Sequence, residues 1–184
     1  LCHQSRFEIS PDHPVCWLEK WMRTAQDDGT RAYDQLRQGV QNAIEQLGTG
    51  FYAKNPELRR AITNGKLAPI QFYHELLRLV YRMIFLIVAE DRDLLHLPDA
   101  TSSARQRYAR YYSMRRLREM AGKMRGTPHA DLFEMVKWLM SALRGDANPE
   151  ISQKLGLPIL GSYLFDANAI PNLNTCIIRN DDFL

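Results

Sequence analysis

The sequence predicts an all-α fold: an irregular helical domain of about six helices with a non-helical C-terminal extension. Three observations lead there. Apolar residues recur three and four positions apart over most of the first 145 residues, the spacing that lines one face of a helix. Prolines and capping residues open several of these stretches and glycines close them. No period of 20–50 residues repeats, as a helical solenoid would require.

Cys16, Trp17, Leu18, Trp21 and Met22 follow Pro14 and predict a first helix over 14–26. Asp27-Asp28-Gly29-Thr30 then reads as a turn and an N-cap. Tyr33, Leu36, Val40, Ile44 and Leu47 give an amphipathic second helix ending at Gly48. Asn55-Pro56 opens a third, short helix that ends at Gly65, with Asn55 as the capping residue. Pro69 opens the fourth, and apolar residues on more than one of its faces through Ala89 predict a helix surrounded by others at the centre of the core. Thr101 starts a fifth helix to about Lys123. Thr127-Pro128 starts a sixth, whose stripe of Leu132, Met135, Val136, Leu139 and Leu143 ends near Gly145. Over 157–184 the helical period is lost and Pro158, Gly161, Pro171 and Asn172 interrupt short apolar runs, predicting loop with a short strand.

The 184 residues suffice for one domain with its own core, and 45% hydrophobic with 24% charged residues is the composition of a soluble globular chain. Cys2, Cys16 and Cys176 are odd in number and widely spaced, which fits a reducing cytoplasm better than a disulfide framework or a zinc site. The longest apolar run, 83–89, is far short of the roughly 20 residues that span a bilayer. No signal-peptide order is present at Leu1, and the apolar C-terminus has no polar tail, so a segment of a longer protein is expected.

The net charge of +3 is unevenly placed. Residues 101–125 hold eight basic residues against Glu119 alone, a local balance of +7, which leaves the other 16 basic and 20 acidic residues at −4. Arg105, Arg107, Arg110, Arg115 and Arg116, interleaved with Tyr108, Tyr111 and Tyr112, are the candidate contacts to a phosphate backbone. A guanidinium offers phosphate a forked donor pair, and tyrosines donate or stack. The competing reading is a solvated face, or pairing with Glu90, Asp91 and Asp93.

The acidic run Glu90-Asp91-Arg92-Asp93 is read as an ion-pair network to Arg82 or to the fifth helix rather than as a metal site. His74, His96 and His129 accompany no nucleophile, Gly48-Thr49-Gly50 is read as a cap and turn, and Trp17, Trp21, Trp138 and the methionines as core. No catalytic, cofactor-binding or metal-binding residue is identified, so the reading of the chain as an enzyme in its own right stays open but without a site to support it.

Residues 76–95, Leu-Leu-Arg-Leu-Val-Tyr-Arg-Met-Ile-Phe-Leu-Ile-Val-Ala-Glu-Asp-Arg-Asp-Leu-Leu, resemble a helix of the large single-chain type IIG restriction-modification enzymes and related phage-defence adenine methyltransferases. The resemblance extends to Ser5-Arg6-Phe7, to Cys16-Trp17-Leu18-Glu19 with Trp21, and to Gln35-Leu36-Arg37 with Gly39-Val40. It continues at Leu47-Gly48 with Gly50-Phe51, at Tyr112-Ser113 with Arg116-Leu117, and at Leu155-Gly156-Leu157-Pro158 with Leu160-Gly161 and Leu164-Phe165. In this last segment Ser162 stands where the family has a second glycine.

The resemblance implies a helical connector between an N-terminal nuclease and an N6-adenine methyltransferase. Residues 1–13 would be the tail of a preceding domain, 14–156 the connector and 157–184 an extended lead-in to the methyltransferase. It implies DNA and the two flanking domains as partners. S-adenosylmethionine and Mg2+ would serve those domains, with no cofactor in this chain. Asn55-Pro56 and Asn148-Pro149 are each followed by Glu rather than by the Pro-[Tyr/Phe] of the methyltransferase motif, so no catalytic residue carries over. The alternative is an independent helical module that binds or regulates a protein. Under either reading Ile159, Leu160, Tyr163, Leu164 and Phe165 are expected to be covered by a neighbour.

Overall fold

The computed structural model describes residues 17–123, 126–146 and 149–184, in which helices occur and no strand does. The all-α expectation holds, and the strand expected near the C-terminus is absent from the described residues. The tail over 1–13, Cys2, Cys16 and Arg125 lie outside them. The chain divides into two units, Leu1–Asn42 and Ala43–Leu184, and helix α1, Trp17–Lys54, contributes to both.

In the first unit α1 is a solvated helix, with Trp21, Met22, Tyr33 and Leu36 exposed. Trp21 is therefore not core, and the apolar stripe is not buried at this end. The break expected over 27–30 does not occur. The Thr30 hydroxyl donates to the Gln26 carbonyl, as Thr24 does to Lys20, each bond satisfying the threonine inside the helix instead of capping a new one. Asp28 sits 3.9 Å from Arg31 on the same face.

In the second unit α1 runs on through Gly48 and Gly50, which are points of close approach rather than a cap and turn. A Cβ on Gly50 would lie 2.8 Å from the Asp182 Cβ, and one on Gly48 3.2 Å from Leu76. Helix α2, Pro56–Thr63, starts at proline as expected, but the Asn55 side chain does not cap it. It donates to the Ile177 carbonyl at 2.7 Å and accepts the Ile177 N–H at 2.9 Å.

Helix α3, Pro69–Asp91, buries Leu76, Leu79, Val80 and Leu86. It is not enclosed on all sides, since Ile70, Tyr73, Tyr81, Phe85 and Val88 are exposed. Helix α6, Asp131–Arg144, buries an almost fully apolar face of Leu132, Phe133, Val136, Leu139, Met140 and Leu143. Phe133 takes Phe51 edge-on at 5.0 Å and Phe183 at 5.6 Å. The helix ends where expected, on Gly145 in the left-handed conformation (φ 85°) that glycine adopts without a Cβ penalty. Its start falls at Asp131 instead of Thr127, because the cap comes from the far end of the chain. Asn180 accepts the Leu132 N–H and donates to the Thr127 hydroxyl and the Asp131 carboxylate. A further short helix, α7, Pro149–Leu155, follows.

Residues 157–184 fold onto this same unit. They form two 3-10 turns, Tyr163–Phe165 and Ala167–Ala169, and two short helices, α8 (Pro171–Thr175) and α9 (Asn180–Phe183). Phe165, expected to be exposed, is buried against Phe85 at 5.4 Å. Leu160 and Leu164 are half-buried, and Ile159 and Tyr163 are exposed. The cause is polar. Glu75, Arg78 and Arg82 rise three and four residues apart along α3 and meet the backbone of this segment. Arg82, with no exposed surface, donates to the carbonyls of Leu164 at 2.5 Å and Asp166 at 2.7 Å. Arg78 donates to the Ala169 carbonyl, and the Glu75 carboxylate accepts the N–H groups of Asn172 and Leu173 at the start of α8. Burial, and secondarily Arg144, pushes the Arg82 guanidinium down to about 10 with Asp166 opposing, so it remains a cation at neutral pH.

Replacing Arg82 by Met fills the volume but leaves two buried carbonyls without donors. Such groups cost about 1–3 kcal/mol each, offset in part by relief of the buried charge. Chemical denaturation of Arg82→Met is expected to show a stability lower by roughly 2–4 kcal/mol at an unchanged denaturant slope.

Candidate functional site

The fifth helix expected from sequence begins at Thr101, whose hydroxyl accepts the Ala104 N–H, but it is two helices. Helix α4, Ser102–Tyr111, and helix α5, Met114–Lys123, meet at an elbow over Tyr112 and Ser113. Two groups make the elbow. The Ser113 hydroxyl donates to the Ala109 carbonyl and accepts the Arg116 N–H, ending one helix and opening the next. The Glu90 carboxylate, from the end of α3, accepts the Met114 N–H at 2.7 Å and the Arg115 N–H at 2.9 Å, placing an anion on the N-terminus of α5. The buried Tyr108 phenol donates to the same carboxylate at 2.5 Å; burial and then Glu90 push its titration far above the usual range.

The acidic run is therefore the ion-pair and hydrogen-bond network expected of it, directed at α4 and α5 and not at Arg82. Asp91 accepts two bonds from Arg118, at 2.6 and 3.2 Å, and lies 4.0 Å from Arg115. Those bonds hold the Asp91 carboxyl below its ordinary range and raise Arg118. Asp93 takes the left-handed conformation (φ 53°) just past the end of α3, where its N–H and that of Leu94 close the helix onto Glu90 and Ala89. From there it accepts a bond from Arg105 at 3.1 Å.

Between α4, α5 and the end of α3 lies a cleft of about 480 Å3. Of the five arginines singled out in the sequence, Arg105, Arg110, Arg115 and Arg116 line it, together with Glu90, Asp93 and Glu119. Arg107 does not: its guanidinium donates to the Lys154 carbonyl at 2.6 Å and ties α4 to α7. Arg105 is committed as well, to Asp93 and the Leu97 carbonyl. Arg110 lies over the Tyr111 ring at 5.4 Å, and neither it nor Arg116 forms an ion pair among the described residues. The hydrogen bonds from Asn180 and then from the Asp131 backbone hold the Asp131 carboxyl below its ordinary range, with smaller charge effects from His129 and the half-buried Arg116.

The cleft can hold an anion through guanidinium donors, while the Tyr108 proton stays on its bond to Glu90. It contains no paired nucleophile and base. His96, edge-on to Tyr108 at 5.0 Å, faces the Gly156 carbonyl. Trp138 stacks on Tyr112 at 5.3 Å. The Cys176 thiol is buried and pushed up to about 11, by burial first and Glu75 second, so it is not a nucleophile at neutral pH. Among the described residues no three His, Cys, Asp or Glu side chains are grouped to hold a metal ion.

Sequence reading missed Glu90 as the organiser of this site. The available signal was a serine, Ser113, followed by helix formers in the middle of a stretch taken as continuous. No described helix is long and apolar enough to cross a membrane. No protein family, no curated protein and no solved structure matches the chain.

Replacing Glu90 by Gln keeps the shape but puts an amide donor against two backbone donors and the Tyr108 hydroxyl. Thermal or denaturant unfolding of Glu90→Gln is expected to show a loss of about 1–3 kcal/mol, whereas Glu119→Gln at the cleft rim changes stability by less than about 0.5 kcal/mol.

Proposed function

We propose that the chain is a helical scaffold segment of a cytoplasmic DNA restriction-modification protein, holding a nuclease and an N6-adenine methyltransferase in register and touching the DNA backbone through the arginine cleft. S-adenosylmethionine and Mg2+ belong, in this reading, to the flanking domains.

The observation that carries the DNA contact is the pair Arg110 and Arg116, two guanidinium groups that line the cleft and form no ion pair among the described residues, although Arg116 acts at a distance on Asp131. The other cleft arginines are partly neutralised, Arg105 by Asp93 and Arg115 by Asp91, so they shape the site while Arg110 and Arg116 supply its unspent charge. A phosphodiester oxygen suits such donors, and contact without base reading suits a connector. The resemblance of residues 76–95 supports the wider reading, since residues 76–91 of that stretch form most of α3, the element that positions the cleft. A second reading, a helical module for a protein partner, draws on Glu119 and Asp93 beside the arginines, which would suit a surface of mixed charge.

A salt-titrated binding assay on the 184-residue chain with a short duplex of arbitrary sequence tests the proposal. Micromolar binding is expected, with affinity falling steeply as salt rises. Arg110→Ala with Arg116→Ala should weaken it at least roughly tenfold and flatten the logarithmic salt slope by about two, near 0.9 per lost phosphate contact. No binding at low salt, or a double variant that binds like the parent chain, would favour the protein-partner reading.

A further inference from the structure

The large exposed apolar residues of α3 share one face, on which the exposed His74 also lies. Ile70, Tyr73, Tyr81, Phe85 and Val88 are each between 42% and 58% exposed, and at 3.6 residues per turn they fall on an arc of about 120°. Tyr163, 68% exposed and 6.0 Å from the Arg78 guanidinium, widens the face on one side. The helix exposes no charge along this length. Glu75 and Arg82 are buried, Arg78 is half-buried against the Ala169 carbonyl, and the first exposed charge is Asp91 in the last turn. A solvated helix face of this length ordinarily carries several charges.

We propose that this face is the contact between two copies of the chain, packed with their α3 helices antiparallel about a two-fold axis at Tyr81. The area agrees with what such a contact needs. A fully covered aromatic ring buries about 150–250 Å2, so four half-exposed ones with Ile70 and Val88 offer on the order of 500 Å2 of apolar surface. A standard interface buries about 800 Å2 on each partner, of which roughly 450–500 Å2 is apolar. The order of residues suits the symmetry. With Tyr81 on the axis, Leu77 of one copy meets Phe85 of the other and His74 meets Val88, while Ile70 falls opposite the exposed Arg92 just past the helix end, so an apolar centre is flanked by a charged rim in an isologous pair. Because the centre of the face, from Ile70 to Val88, exposes no Asp, Glu, Lys or Arg, identical copies approach there without like-charge repulsion.

Sedimentation equilibrium of the full 184-residue chain tests this at micromolar concentration. A species of twice the 21.3 kDa chain mass is expected. Tyr81→Glu, which brings two carboxylates together on the axis, and Val88→Glu should each weaken the dimer by roughly a hundredfold or more with helical circular dichroism unchanged. Gln71→Glu, exposed but off the stripe, should leave it intact. If Tyr81→Glu fails to fold, Val88→Glu and Ile70→Glu decide the matter. A monomeric parent chain, or a dimer indifferent to the stripe substitutions, overturns the proposal.

Discussion

The packing of the C-terminal segment depends on how α3 meets the backbone groups that the segment's own turns leave open. Residues 164–173 bond most of their N–H groups within their own turns, but the 3-10 turns and the five-residue helix leave the Leu164 and Ala169 carbonyls and the Asn172 and Leu173 N–H groups for α3 to meet. Burying that segment without partners would cost more than its apolar residues return. Arg82 and Arg78 donate to its carbonyls and Glu75 accepts from its N–H groups, and only then can Phe165, Ile170 and Leu173 enter the core. The rest of the tail is anchored by similar means. Asn55 reads Ile177, Asn180 caps α6, and Gly126 lets the Asp181 backbone approach where a Cβ would lie 2.2 Å from its Cα.

The same device operates at the other end of α3. Glu90 supplies the acceptor for two N–H groups that open α5, so the chain turns at Ser113 instead of continuing as one helix. The turn gathers arginines that a straight helix would spread around its axis, and it brings four of them to one cleft. A single helix thus carries both the fixation of the C-terminal segment and the geometry of the candidate phosphate site, while its third side stays apolar and open.

Local chemistry made part of this legible in the sequence. Pro56 and Pro69 open their helices, Thr101 caps α4 and Gly145 closes α6, because each acts within one turn of its own position. What was not legible depends on distant partners. Asp27-Asp28-Gly29-Thr30 has the composition of a turn, yet its threonine bonds back inside the helix. Asn55 has the identity of a cap, yet a residue 122 positions away claims its side chain. Thr127 opens no helix, because Asn180 caps α6 at Asp131 instead. The arginines were legible as a basic cluster, but their partition into structural and available groups was not. Arg107 and Arg105 are spent on backbone carbonyls and on Asp93, which only the fold brings within reach.

Helix α3 and the segment over 164–173 form one cooperative unit joined by buried polar contacts. Native-state hydrogen exchange of the Asn172 and Leu173 amides, followed beside the interior amides of α3, tests it most directly. If Glu75 holds them as described, both sets open only with global unfolding and report the same free energy. Exchange of the Asn172 and Leu173 amides at near-coil rates while α3 stays protected would contradict it.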